Sequence, residues 1–97
     1  MSLRLLREER IGRLWVEVQA SDLVAGPNFL VAPVLLAEDP RADRTDLRVL
    51  IETQDGPAWV LVDLLRPVGR GVFKFERNLG EDESDEIRDV LRLIFDL

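Results

Sequence analysis

The chain has 97 residues, of which 46% are hydrophobic and 33% are charged, and its formal net charge is −6. This length supports one hydrophobic core, so we expect a single domain spanning residues 1–97. The sequence contains no cysteine and no histidine. Disulfides, thiolate metal sites and Ser-His or Cys-His nucleophile pairs are therefore excluded, and we expect neither a metal nor a cofactor.

The charge and hydropathy patterns limit where the protein acts. No apolar run approaches the ~20 residues that a membrane span needs, and the first residues lack the pattern of a secretory signal. We therefore expect a cytoplasmic protein with no membrane contact. The segment from Glu81 to Leu97 holds seven acids and two bases. Because nucleic-acid-binding proteins usually carry a basic patch, no direct contact with nucleic acid is expected.

Most of the chain has the pattern of short strands separated by turns. Residues 14–18 alternate, which places Trp15 and Glu17 on one face of a strand. Phe29–Leu36 is an apolar run that predicts a buried strand, and Pro33 within it predicts a bulge or a sheet edge because proline lacks an N–H. Further strands are predicted at 47–53, 58–62 and 72–75.

The connections between these strands carry turn signals. Asp55-Gly56 predicts a tight hairpin between the strands at 47–53 and 58–62, because such turns need residues that tolerate positive φ. The polar stretch at about 38–46 predicts a flexible loop. Trp15 and Trp59 lie on strands, so we expect them in the core or in a dimer interface.

The end of the chain predicts an amphipathic helix from Asp85 to about Phe95. Its apolar residues recur at i, i+3, i+4 and i+7 and so share one buried face: Ile87, Val90, Leu91 and Ile94. Asp82 and Ser84 are candidate N-caps, and Asp85 can pair with Arg88. Short strands closed by one helix predict a mostly β fold, either a small barrel or a two-sheet body.

Several segments, taken in order, resemble the CcdB family of bacterial toxins. Residues Arg13–Gln19 are similar to the family's early strand of Arg-Leu-aromatic-Val-acid-Val-Gln, and Ser21–Val24 to its Ser-Asp followed by two aliphatic residues. Leu30–Val34 matches its aliphatic strand with a proline near the end, and Asp85–Phe95 resembles its last helix. The resemblance rests on this succession over most of the chain.

The resemblance implies an SH3-like barrel of the CcdB/MazF type, a homodimer, and the toxin of a type II toxin–antitoxin module. Such toxins are not enzymes: they bind the A subunit of DNA gyrase and are neutralised by a disordered antitoxin protein. The candidate gyrase-binding residues are Arg88, Arg92, Phe95, Asp96 and Leu97. The candidate antitoxin-binding residues are Ser21, Asp22, Leu23 and Val24. The family's gyrase-inserting tail, Trp-Gly-Ile, is replaced by Asp96-Leu97, which predicts degenerate gyrase poisoning.

The related MazF/PemK ribonucleases share that fold and supply an alternative hypothesis. Gly12–Trp15 resembles their Gly-acid-Ile-Trp opening, Val62–Val68 resembles their Val-Asp-Gln-Ile-Arg-Thr-Val strand, and Thr53 is the candidate catalytic threonine. Their catalytic arginine directly precedes the proline of the apolar strand, where this chain has Ala32. Because alanine cannot stabilise the charge of a phosphoryl transition state, this hypothesis stands second. A third hypothesis is a homologue that keeps the fold and dimer without toxicity.

Overall fold

The computed structural model describes residues 2–18, 29–44, 47–68 and 73–95. Within these residues the strands are β1 (Arg4–Glu8), β2 (Leu14–Val18), β3 (Phe29–Leu36), β4 (Arg48–Thr53), β5 (Gly56–Leu61), β6 (Arg66–Val68) and β7 (Phe73–Asn78). The first 3-10 helix is Pro40–Arg44 and the second is Val62–Leu64. A single α-helix in the described part, α1, spans Glu81–Phe95.

The described strands form one curled antiparallel sheet in the order β4-β5-β3-β2-β1-β7, and β6 pairs with β3. The sheet has the shape of a half-barrel, and α1 contributes Ile87 and Leu91 to the core on its inner side. The sequence-based prediction of a mostly β fold with a C-terminal helix is therefore confirmed.

The strand β3 connects the two parts of the sheet because it changes partners along its length. On one side it pairs with β2 through residues 30–33. On its other side it pairs first with β6, through residues 29–31, and then with β5, through residues 34–36. Pro33 lies in the gap between these two partners, where a missing N–H interrupts no pairing. At Pro33, where the sequence predicted a bulge or a sheet edge, β3 instead changes its pairing partner from β6 to β5.

The strand β1 lies between β2 and β7, although the sequence pattern predicted no strand there. Leu5 belongs to the main core, whereas Leu6 points to the opposite face and pairs with Trp15 and Phe75. Both leucines are buried, so the strand lacks the alternation on which the prediction depends. The other strand that the pattern missed, β6, has only three residues.

The predicted hairpin joins β4 to β5. Thr53 pairs with Gly56, so Gln54 and Asp55 form its two-residue loop. Gly56 has φ of 114°, a conformation that strongly favours glycine because any side chain would be strained there. Glycine at this position therefore fixes the register of the hairpin.

The segment predicted as a flexible loop, 38–46, contains the first 3-10 helix. The Asp39 Oδ1 accepts the Arg41 N–H at 2.9 Å, and Pro40 occupies the first helical position, an arrangement typical of a helix start. Ala42 is fully buried against Leu35 and Leu61. The described part of this segment packs on the outer side of the sheet, while residues 45 and 46 lie outside the described part.

The helix α1 begins at Glu81, four residues before the predicted start. The Gly80 N–H donates to Glu83 Oε1 at 2.9 Å, which is one half of a capping box. The Glu83 carboxylate thus accepts a hydrogen bond from a backbone N–H at the start of the helix. The candidate N-caps Asp82 and Ser84 are wrong, because both lie inside the helix. Ser84 is fully buried, and its Oγ accepts the Leu3 N–H at 3.1 Å.

The buried face of α1 is the predicted one. Ile87 and Leu91 are 0% and 8% exposed in the main core, and Val90 and Ile94 pack against its margin. The helix contacts β4 and the second 3-10 helix. Among the described helices, none has the length and apolar character to span a membrane.

Truncating the buried face should cost far more stability than truncating the exposed one. Ile87→Ala leaves a cavity and is expected to lower the free energy of unfolding by about 2–5 kcal/mol, and Ile87→Val by about 1 kcal/mol. Leu93→Ala is the matched control, because Leu93 is 75% exposed, and should change stability by less than about 0.5 kcal/mol. Urea unfolding followed by circular dichroism measures all three. Equal losses at both positions would contradict the helix orientation.

Candidate partner-binding site

Three of the five candidate gyrase-binding residues lie on α1. Arg88 and Arg92 are one turn apart on its outer side, and each pairs with an acid three residues earlier, Asp85 at 3.4 Å and Asp89 at 3.0 Å. The predicted pair of Asp85 and Arg88 is therefore confirmed. Exposed pairs of this kind contribute little stability but partly neutralise the arginine charges.

The remaining candidates of this group are at the end of the chain. Phe95 is the last residue of α1, and its side chain lies outside the described part of the molecule, as do Asp96 and Leu97. The candidate antitoxin-binding residues Ser21, Asp22, Leu23 and Val24 also lie outside the described residues. They belong to the connection between β2 and β3, which are paired neighbours in the sheet.

Thr53, the residue of the ribonuclease alternative, is engaged in the β4–β5 hairpin. Its hydroxyl donates to the Gly56 carbonyl at 2.8 Å and accepts the Asp55 N–H at 3.1 Å. The backbone of the turn thus uses the hydroxyl both as donor and as acceptor. Ala32 is 0% exposed and belongs to the main core, so its side chain contributes packing.

Two arginines reach this hairpin. Arg77 donates to the Glu52 carbonyl and forms an ion pair with Glu83, and Arg7 is bound on three sides. The Arg7 Nε donates to Glu76 Oε1 at 2.7 Å, Nη1 donates to the Gly12 carbonyl at 2.8 Å, and Nη2 lies 3.4 Å from Asp55 Oδ2. The hydrogen bond to Glu76 is the main cause that raises the pKa of Arg7. Arg7 therefore cross-links β1, β7 and two turns, a structural role.

A groove beside β2 is the feature of the surface that the sequence analysis missed. We call it the Trp15 groove, and its lining residues are Arg13, Trp15, Pro33, Asp63, Leu64, Leu65 and Arg66. It opens where β3 passes from β6 to β5 and where the second 3-10 helix connects those two strands. The fold thus brings three separate segments of the chain to one depression.

Trp15 forms the rigid floor of this groove. It is only 5% exposed, which confirms the prediction that it is buried. Its indole N–H donates to Glu8 Oε1 at 3.1 Å, and the Phe73 ring meets it edge-on with 6.4 Å between ring centroids. The guanidinium carbons of Arg13 and Arg66 lie 5.3 and 5.8 Å from its ring centroid, within cation–π range.

The two arginines give the groove a positive charge in a negatively charged protein. Within the described chain, the side chains of Arg13 and Arg66 contact the Trp15 ring and form neither an ion pair nor a hydrogen bond. Asp63 is the one acid among the described residues that line the groove. Leu64 on the same wall is 52% exposed. The groove therefore combines accessible apolar surface with two guanidinium groups that have no ion-pair partner among the described residues.

A second depression lies beside the first 3-10 helix, where Asp39 and Arg41 in its lining are paired with each other. It is lined by residues 12–14, 34–36, 38–41 and 55. The Asp39 carboxylate accepts hydrogen bonds from the Arg41 side chain at 3.2 and 2.8 Å. These bonds, followed by the Arg41 backbone N–H, lower the pKa of Asp39 from 3.8 to about 2. This pair stabilises the local turn and does not offer a free charge to a ligand.

The described residues contain no group of histidine, cysteine or acidic side chains arranged to hold a metal ion. Comparison with known proteins adds no assignment for this surface. The sequence matches no protein-family model, and a search of curated proteins finds no significant match. The candidate site is therefore defined by its geometry and charge alone.

The pairing of Asp39 with Arg41 predicts an unusual titration. In wild-type protein, an NMR titration of the carboxyl groups should give Asp39 a midpoint of about 2. Arg41→Gln should move that midpoint back towards 3.8, because it removes the guanidinium donors. Because the folded-state pKa is lowered, the stabilising contribution is present above about pH 4 and is lost as the pH falls towards 2. Lys74→Gln is the control, and an unchanged midpoint in Arg41→Gln would contradict the pairing.

Proposed function

We propose that this chain is a CcdB-like protein with an SH3-like barrel of that family's type, the toxin component of a type II toxin–antitoxin module. It acts as a homodimer that binds a target protein and a cognate antitoxin. One observation carries the proposal: three of the four segments that resemble CcdB lie on β2, β3 and α1, and these three elements share one core. Segments that resemble CcdB in sequence order therefore also pack against one another in the fold. The fourth, Ser21–Val24, lies outside the described residues.

A binding role fits the described side chains better than a chemical one. The hydroxyl of Thr53 is used by the hairpin turn, and Ala32 is enclosed in the core. Arg7 is held by Glu76 and by two further groups. Ribonuclease activity at this hairpin would therefore require the turn and the arginines bound beside it to rearrange.

The proposed target is the A subunit of DNA gyrase, and the proposed location is the cytoplasm. Because Asp96-Leu97 stands where the CcdB pattern has Trp-Gly-Ile, the proposed gyrase contact depends on the exposed face of α1. Arg88, Arg92 and the exposed Leu93 lie on that helix. A contact that lacks the buried aromatic anchor is expected to be weak.

Inducible expression in a bacterium tests the toxin proposal. We expect growth arrest, inhibition of gyrase supercoiling by purified protein, and relief of the arrest by a mutation in the gyrase A subunit that confers resistance to CcdB toxins. The double variant Arg88→Glu/Arg92→Glu reverses the charge of the proposed contact and should reduce the inhibition about tenfold. Lys74→Gln serves as the charge control. A clean preparation that leaves supercoiling untouched and cuts no RNA would remove both toxin hypotheses.

A substitution at Thr53 separates binding from catalysis. Thr53→Val removes the hydroxyl, so it should lower the free energy of unfolding by about 1 kcal/mol through the loss of the turn hydrogen bonds. If the protein acts by binding, growth arrest should persist at a temperature where the variant is folded. Loss of arrest in a folded Thr53→Val protein, together with RNA cleavage by the wild type, would favour the ribonuclease alternative.

A further inference from the structure

We propose that the Trp15 groove binds an extended segment of a partner protein in which a carboxylate side chain stands next to a large apolar side chain. The inference deepens the proposed function, since it rests on this protein acting by binding other proteins. It assigns to a defined surface the chemical class of one partner.

The charge of the groove selects a carboxylate. Arg13 and Arg66 flank the same indole ring and form no ion pair with an acid among the described residues. A planar guanidinium recognises a carboxylate through two parallel hydrogen bonds, which gives both strength and orientation. The segment Glu81–Leu97, with seven acids and two bases, accounts for −5 of the net charge of −6, so an acidic peptide is repelled by the C-terminal helix and attracted here.

Two acids near these arginines favour a carboxylate over a phosphate group as the ligand. Asp63 stands in the wall of the groove and is exposed. Asp39, outside the groove, feels the charge of Arg13, which contributes a small part of the lowering of its pKa. Both acids offset part of the positive charge, which suits a carboxylate of charge −1 better than a phosphate group of about −1.5 to −2. The groove therefore favours aspartate or glutamate over a phosphorylated residue.

The walls supply the apolar half of the recognition. Leu64 is 52% exposed, and Pro33 and Leu65 continue the apolar lining beside it. Burying a leucine or phenylalanine of the partner against Leu64 removes apolar area of both proteins from water. Accessible apolar surface rimmed by charges is the usual composition of a protein-binding site.

The floor of the groove argues against single-stranded nucleic acid. Proteins that bind such strands stack bases on accessible aromatic rings. Trp15 is 5% exposed, the Phe73 ring packs perpendicular to it, and its indole N–H is used by Glu8. The ring therefore has no open face for a base, and it positions the arginines instead.

Selection from a random peptide display library tests the inference with the full-length protein. The same library is selected on wild type, on Arg13→Gln/Arg66→Gln and on Lys74→Gln, the last being a charge control on the edge strand β7, outside the groove lining. We expect wild type and Lys74→Gln to enrich peptides with aspartate or glutamate beside leucine, isoleucine or phenylalanine. The double variant should lose this enrichment while circular dichroism shows it to be folded.

The enriched peptides are then synthesised with a fluorescent label and titrated by anisotropy. We expect the double variant to bind about tenfold more weakly or worse, and Leu64→Ser about fivefold more weakly. Replacement of the peptide acid by its amide should weaken binding to wild type by a similar factor. Enrichment without acids, equal enrichment on the double variant, or no enrichment would each overturn the proposal.

Two further outcomes are decisive. If a uridine-rich oligonucleotide, or vesicles containing phosphatidylglycerol, displace the labelled peptide and bind more tightly than it does, the carboxylate assignment fails. The growth and supercoiling assays report on the toxin proposal independently. Arrest without peptide binding removes only this inference, whereas peptide binding without arrest or gyrase inhibition supports it and removes gyrase poisoning.

Discussion

The change of partner along β3 is the constraint on which the rest of the described structure depends. One strand pairs with β2 on one side and with β6 and then β5 on the other, so a single chain segment joins both parts of the curled sheet. Pro33 stands at the gap between β6 and β5, where a residue without an N–H interrupts no pairing with either strand. The second 3-10 helix crosses from β5 to β6 at this point, and the Trp15 groove opens beside it.

A carboxylate holds the helix to this sheet. Burial raises the pKa of Glu83, but hydrogen bonds from the Gly80 N–H, from Arg77 and from the Glu52 N–H lower it by more, so the net shift is downward. These donors belong to the helix start, to β7 and to β4. Since the folded-state pKa is lowered, the contribution to stability exists above the ordinary glutamate range and is lost as the pH falls through the lowered pKa.

The helix packs on the inner side of the sheet, and the outer side carries the Trp15 groove. Leu6, Trp15 and Pro33 pair in one row across β1, β2 and β3 on that side. Glu17 on the same side is 7% exposed and is ion-paired with Arg4, because a buried charge needs a partner. A covered floor with charged and apolar rims is suited to the recognition of a partner, which needs a rigid surface.

The sequence by itself determined the helix face, the Asp55-Gly56 hairpin and the mostly β class, because each depends on residues close together in the chain. Asp39-Pro40 is also typical of a helix start, but the polarity of residues 38–46 favoured the prediction of a loop there. Tertiary structure alone decided that β1 is a central strand, since Leu5 and Leu6 are buried on opposite faces by different neighbours. It also brought Arg13 and Arg66 to one indole ring, because long-range strand pairing, which local periodicity does not encode, sets the distance between them.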